Sequence, residues 1–128
     1  IPFYERALAM RPNYTGALRG LAKTYTEVGR YREALEIMSQ VFKIDPASRA
    51  DQRNLAVIHY HAGQVDRAIE IYRDLLKGDP YSPDLYFDLG IALQKQGRSA
   101  EAIRAYREVL RLHPEQAQAR ARLEVLTK

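Results

Sequence analysis

Along this chain apolar residues recur every three to four positions, and no segment alternates with the two-residue period of a strand. Leu18, Leu21, Ala22 and Tyr25 share one face of a helix expected from about Tyr14 to Val28. Ala34, Leu35, Met38, Val41 and Phe42 do the same from about Tyr31 to Ile44. The pattern returns with Leu55, Ala56 and His59, then with Ala68, Ile69, Tyr72, Leu75 and Leu76. It returns again with Tyr86, Leu89, Gly90 and Leu93, then with Ala102, Ile103, Tyr106, Val109 and Leu110. A last helix is expected from about Gln116 to Leu126. The fold class read from this pattern is all-α.

The helices come in a fixed rhythm. Pro12, Pro46, Pro80 and Pro114 are spaced 34 residues apart, and so are Gly29, Gly63 and Gly97, and Ala34, Ala68 and Ala102. A shared period of this length marks a repeat architecture. Each column has a physical reason. Proline closes a helix because it lacks an N–H and restricts the residue before it. Glycine ends the first helix of each pair, where a left-handed backbone makes a tight turn cheap. Alanine early in the second helix lets two helix axes approach closely.

These columns resemble the tetratricopeptide repeat. Leu21-Ala22, Leu55-Ala56 and Leu89-Gly90 match its paired positions, and Tyr25 matches the aromatic that follows them. Ala34–Met38–Val41–Pro46, Ala68–Tyr72–Leu75–Pro80 and Ala102–Tyr106–Val109–Pro114 match its second half. The resemblance implies a right-handed superhelical solenoid of antiparallel helix pairs. It departs at Gln52, where a large apolar residue is usual, and at His59, which holds the place of Tyr25. It departs also at Arg30, Gln64 and Arg98, where the family favours an Asp or Asn that would cap the second helix.

The whole chain, 1–128, is read as a single repeat domain. Residues 1–12 form the second helix of a repeat whose first helix is missing, because Phe3–Met10 aligns with Ile37–Ile44. Complete repeats follow at 15–48, 49–82 and 83–116, and 117–128 form a closing helix. The largely apolar first segment reads as a cut through a longer array, the alternative being a half-repeat cap. Arg120 and Glu124 fall in columns that otherwise pack a second helix, so the last helix reads as a solvating cap resting on Leu123 and Val125 or Leu126.

Composition narrows the function classes. Charged residues make up 28% of the chain and the net charge is only +4, with the signs interspersed rather than gathered into a basic tract, so nucleic acid is not an expected partner. No apolar run is long enough for membrane insertion. The absence of cysteine excludes disulfides, thiolate metal sites and a cysteine nucleophile, and it leaves the compartment open between cytoplasm, periplasm and exterior. His59 and His61 are two apart on a helix and point to opposite sides, so they do not share a metal. His59 reads as a satisfied semi-core residue, and His113 sits in a turn. Asn13-Tyr14-Thr15 has the form of a glycosylation acceptor without secretory context. No phosphate loop, Ser-His-Asp arrangement or convergent carboxylate pair is visible, and neither an enzyme activity nor a cofactor is expected.

The resemblance implies that the first helix of each pair lines a concave side where members of the family hold a peptide or helix. The inward positions are Arg19, Lys23, Thr26 and Glu27; then Arg53, Asn54, Val57, Tyr60 and His61; then Asp84, Phe87, Asp88, Ile91 and Lys95. Read in order they are basic, then apolar, then acidic. That sequence suits a partner segment with an acidic end, an apolar anchor and a basic end. Some members clamp the C-terminal carboxylate of heat-shock chaperones with Lys and Asn. Asn54 falls in one such place and Arg19 could stand in for a Lys, but Lys23 replaces an expected Asn, and Asp84 and Asp88 would repel a carboxylate. The expected function is therefore a scaffold that holds some other partner protein. Two alternatives are self-association through a repeat edge bearing Ile1, Tyr4 and Leu8, and a substrate-recruiting arm of a larger enzyme.

Overall fold

A computed structural model describes residues 15–46 and 48–127. The half-repeat expected over 1–12, its edge of Ile1, Tyr4 and Leu8, and Asn13 and Tyr14 of the acceptor triplet lie outside the described residues. The described residues form seven α-helices and no strand: α1 Thr15–Glu27, α2 Tyr31–Ile44, α3 Arg49–His61, α4 Val65–Gly78, α5 Pro83–Lys95, α6 Ser99–Leu112 and α7 Ala117–Thr127. None of them is long and apolar enough to cross a membrane. Two compact units divide between Gln64 and Val65.

Each glycine turn is built alike. Gly29, Gly63 and Gly97 take φ of 82°, 85° and 75°. That left-handed step lets the next N–H reach back to the helix it leaves: Arg30 to the Tyr25 carbonyl at 2.8 Å, Gln64 to His59 at 2.8 Å and Arg98 to Leu93 at 2.9 Å. The glycine N–H takes the carbonyl three residues back, as in Gly29 to Thr26 at 3.2 Å. Together these bonds satisfy carbonyls that a helix end leaves open.

The expected absence of a side-chain cap at Arg30 and Arg98 holds. Something else compensates. Arg30 bonds Glu33 at 2.7 Å and stacks 4.8 Å above the Tyr25 ring, and Arg98 forks onto Glu101 at 2.9 Å. The acid in each first turn thus meets both a helix N-terminus and a guanidinium. The opposite helix set is capped at positions the repeat pattern did not reveal. Ser48 accepts the Asp51 N–H at 3.2 Å, Ser82 accepts the Leu85 N–H at 3.3 Å, and Gln116 accepts the Ala119 N–H at 2.7 Å. These three again share the 34-residue spacing.

In the first unit α1 packs on α2 and α2 on α3. Their core is Leu18, Leu21, Ala22, Tyr25, Ala34, Met38, Val41 and Ile58, each at most 8% exposed. In the second unit α4, α5, α6 and α7 pack in chain order. Here Tyr106 is fully buried and donates its hydroxyl to Gln94 at 2.8 Å. Gly90 lies beneath its ring, so close that a Cβ would stand 2.7 Å from one ring carbon. His59 is 8% exposed and its Nδ1 lies 2.6 Å from the Gln64 amide oxygen, which makes it the satisfied semi-core residue expected. The closing helix adds one buried residue, Ala119, to the expected Leu123 and Leu126. Ala119 is fully buried, Leu123 and Leu126 are half-buried, and Val125 is 66% exposed.

Two glycine substitutions separate backbone from packing. Gly97→Ala meets no atom within 4 Å, so its cost is that of a left-handed alanine, about 1 kcal/mol. Gly90→Ala would gain about 1 kcal/mol of helix propensity, but the pinned Tyr106 ring has to move, and overpacking of about 1–3 kcal/mol outweighs it. Both variants should lower the urea midpoint, and a stabilised Gly90→Ala would refute this account of the α5–α6 contact.

Candidate functional site

The first unit presents the face of α1 and α3 on which most of the candidates lie. Arg19 projects from α1, and its Nε and one terminal nitrogen fork onto the Asp51 carboxylate at 2.8 and 2.6 Å. Asp45 stands 3.7 Å from the same guanidinium. Asp51 is 1% exposed, whereas Arg19 and Asp45 side chains are 37% and 51% exposed. Asp51 reaches this place because Ser48 starts α3 three residues earlier and turns the carboxylate inward. The Arg19 fork holds the Asp51 carboxyl below the ordinary carboxylate range; burial opposes this, and the Ser48 hydroxyl assists it. Arg19 is correspondingly raised.

Beside the fork lies a cavity of about 430 Å³. Ala22, Met38, Val57 and Ile58 contribute its apolar part. Lys23, Asn54, His61, Thr26 and Glu27 line it as well, with Arg19. Among the described residues no hydrogen bond or ion pair engages the Lys23 ammonium or the Asn54 amide. The Thr26 hydroxyl is spent on the Ala22 carbonyl at 2.8 Å. His61 meets the Tyr60 ring edge-on at 5.3 Å. Arg53 has partners within the chain.

In the second unit Phe87 and Ile91 are half-buried on α5 and line a separate, more open cleft of about 560 Å³ against α7. Phe87 packs 5.9 Å from Tyr106, and Arg122 of α7 stands 6.0 Å over its outer face while donating to Gln94 at 3.2 Å. Asp84 is exposed in the first turn of α5, where it complements the helix dipole. Asp88 is half-buried and has a partner within the chain.

A third depression, about 660 Å³, runs along α2 past Arg32, Glu36 and Lys43. It is larger, but Arg32, Glu36 and Lys43 line it with long, exposed charged side chains, two of them paired as Arg32–Glu36 at 3.8 Å. The cavity between α1 and α3 is the better-built site because Met38 and Ile58, 1% and 4% exposed, give it a fixed apolar base.

The structure thus gathers Arg19, Lys23, Asn54, Val57 and His61 around one cavity, and Phe87 and Ile91 around another. It adds three residues that the sequence pattern did not single out. Met38 is a base residue, Asp51 neutralises Arg19, and Arg122 covers Phe87. Asp51 carried a signal, the Ser48-x-x-Asp51 spacing of a helix start. Its partner, 32 residues away, carried none.

Two tetratricopeptide-repeat models match the sequence, one over residues 19–83 and one over 59–123, each about half of the chain. The chain belongs to the tetratricopeptide-repeat family. No curated protein matches it. Among solved structures this tetratricopeptide-repeat chain is similar to MamA, with a TM-score of 0.78 at 23% identity over 96% of this chain and 72% of that one. MamA from Desulfovibrio magneticus RS-1 gives 0.82 at 17% identity, over 98% and 71%. The type III secretion chaperone SycD of Yersinia enterocolitica, in complex with a peptide of the translocator YopD, gives 0.73 at 21% identity, over 86% and 89%. At these identities the likeness is one of fold.

The Arg19–Asp51 fork makes a testable contribution to stability. Because Asp51 is depressed in the folded state, its contribution is fully present above the unfolded carboxylate pKa of about 3.9 and is lost as pH falls below that toward the folded value. Asp51→Asn should cost about 1–3 kcal/mol at pH 7. It should also flatten the fall of stability below about pH 4. Urea titrations at several pH values check both, and an unchanged acid slope would mean that the fork carries no net energy.

Proposed function

We propose that this repeat chain is a protein-binding scaffold that holds a peptide or helical segment of a partner. It uses the exposed faces of α1 and α3 in the first unit and of α5 in the second. The observation that carries this reading is the cavity between α1 and α3: a fixed apolar base beside an ammonium and an amide that have no partner among the described residues. Such a surface offers burial for a side chain and polar groups that orient a peptide backbone. SycD, of the same fold, is solved in complex with a peptide of YopD, which supports a segment as the kind of partner.

The residues proposed to touch the partner are Lys23, Asn54, Val57, Tyr60 and His61 in the first unit, and Asp84, Phe87, Asp88 and Ile91 in the second. Arg19 belongs to the same first surface but spends its charge on Asp51, and Arg53 has a partner of its own, so the basic end is weaker than the sequence implies. Binding should depend more on apolar contact than on the basic cluster.

The test starts from a partner captured with the immobilised chain and then measured as a purified pair. Val57→Asp and Phe87→Ala should each weaken binding by at least about tenfold, while Arg32→Ala on the outer helix should leave it unchanged. Unchanged affinity in both of the first two variants removes these faces from the interface.

A further inference from the structure

The charge of the cavity between α1 and α3 is decided by a residue outside it. Arg19 lines the cavity, and an unpaired guanidinium beside Lys23 and Asn54 would make a strong carboxylate site. The Asp51 carboxylate takes that charge instead, with two bonds of 2.8 and 2.6 Å, and Asp45 stands 3.7 Å from the same group. Asp51 is 1% exposed, so its carboxylate faces the guanidinium rather than open solvent. Glu27 adds an acid to the lining. What remains among the described residues is the unengaged Lys23 ammonium and the neutral Asn54 amide, with the Glu27 acid in the same lining, beside the apolar base of Met38, Val57 and Ile58. A carboxylate entering there would exchange its water for one ammonium and a neutral amide beside the Glu27 acid, whereas an aliphatic side chain would gain burial on the apolar base.

We propose that this cavity takes an uncharged apolar side chain of the partner segment, and that Asp51 sets the preference by holding the charge of Arg19 away from the ligand. The proposal rests on the reading that the chain holds a partner segment. It makes Asp51 a positioning residue that touches no ligand itself. It commits the occupant of this cavity to a Leu- or Phe-like side chain rather than an acidic one.

The chain has two methionines, Met10 and Met38, so methyl-labelled methionine gives two resonances, and Met10→Leu assigns the Met38 signal at the base of the cavity. The probes are N-acetyl-leucinamide and N-acetyl-aspartic acid α-amide, which differ only at the side chain and have similar shape. In the unmodified chain the leucine probe should shift Met38 at a concentration about tenfold lower than the aspartate probe requires. Asp51→Asn, nearly isosteric, should shrink or invert that ratio, because Arg19 is released toward the cavity. Should Asp51→Asn fail to fold, Asp45→Asn on the exposed side of the fork should move the ratio the same way by less.

Three outcomes overturn the proposal. The aspartate probe binds the unmodified chain as well as the leucine probe, or the ratio is the same with and without the acid at 51 (or at 45, where that variant is the one used), or neither probe moves Met38. The last of these leaves the scaffold reading standing, since that is judged by the purified partner and Phe87→Ala.

Discussion

The left-handed glycine turn is the constraint on which the local architecture depends. Gly29, Gly63 and Gly97 each give up the usual backbone region so that two successive N–H groups can close the helix they leave. That exit is short, so the next helix begins two residues later, and after Gly29 and Gly97 it lies against the one before. Its first turn needs small residues at the contact, which is why Ala34 and Ala102 are fully buried. Further along, a large side chain on one helix needs a small one on the other, and Gly90 under Tyr106 is the tightest instance. The polar residue after each glycine then covers the turn, as Arg30 does over Tyr25 and Gln64 does on His59.

Much of this was legible in the sequence because it is periodic. Proline, glycine and alanine columns mark ends, turns and close contacts, and all are set by local backbone chemistry. The buried faces followed too: Leu18, Leu21, Ala22 and Tyr25 lie within 8% of full burial. The cap column of Ser48, Ser82 and Gln116 escaped notice although it has the same period, because the three residues differ in type while doing one task. Of the alternatives Val125 and Leu126 for the last helix, Leu126 is half-buried and Val125 is exposed, a choice the sequence left open because a helix of alternating Ala and Arg has no strong apolar face.

The candidate surface was legible only in outline. Position on the first helices follows from the repeat, so Lys23, Asn54, Val57 and Phe87 could be named. Charge could not be summed from the list of residues, because pairing changes what a ligand meets. Arg19 counts as a free cation in the sequence and as half of a fork in the structure. Asp51 was invisible as a partner because its mate is 32 positions away, and no local spacing rule reaches that far. Met38 was read as core, which it is, and its role at the base of a cavity needed three helices in place.

The central claim is that a partner segment lies on the first-helix faces and not on the outer helices. Backbone amide shifts of the labelled chain, recorded as the purified partner segment is added, test it most directly. The account predicts that the shifts concentrate on α1, α3 and α5 around Lys23, Asn54, Val57, Phe87 and Ile91, with α2 and α6 unmoved on their outer sides. Shifts confined to α2 around Arg32, Glu36 and Lys43 would contradict it.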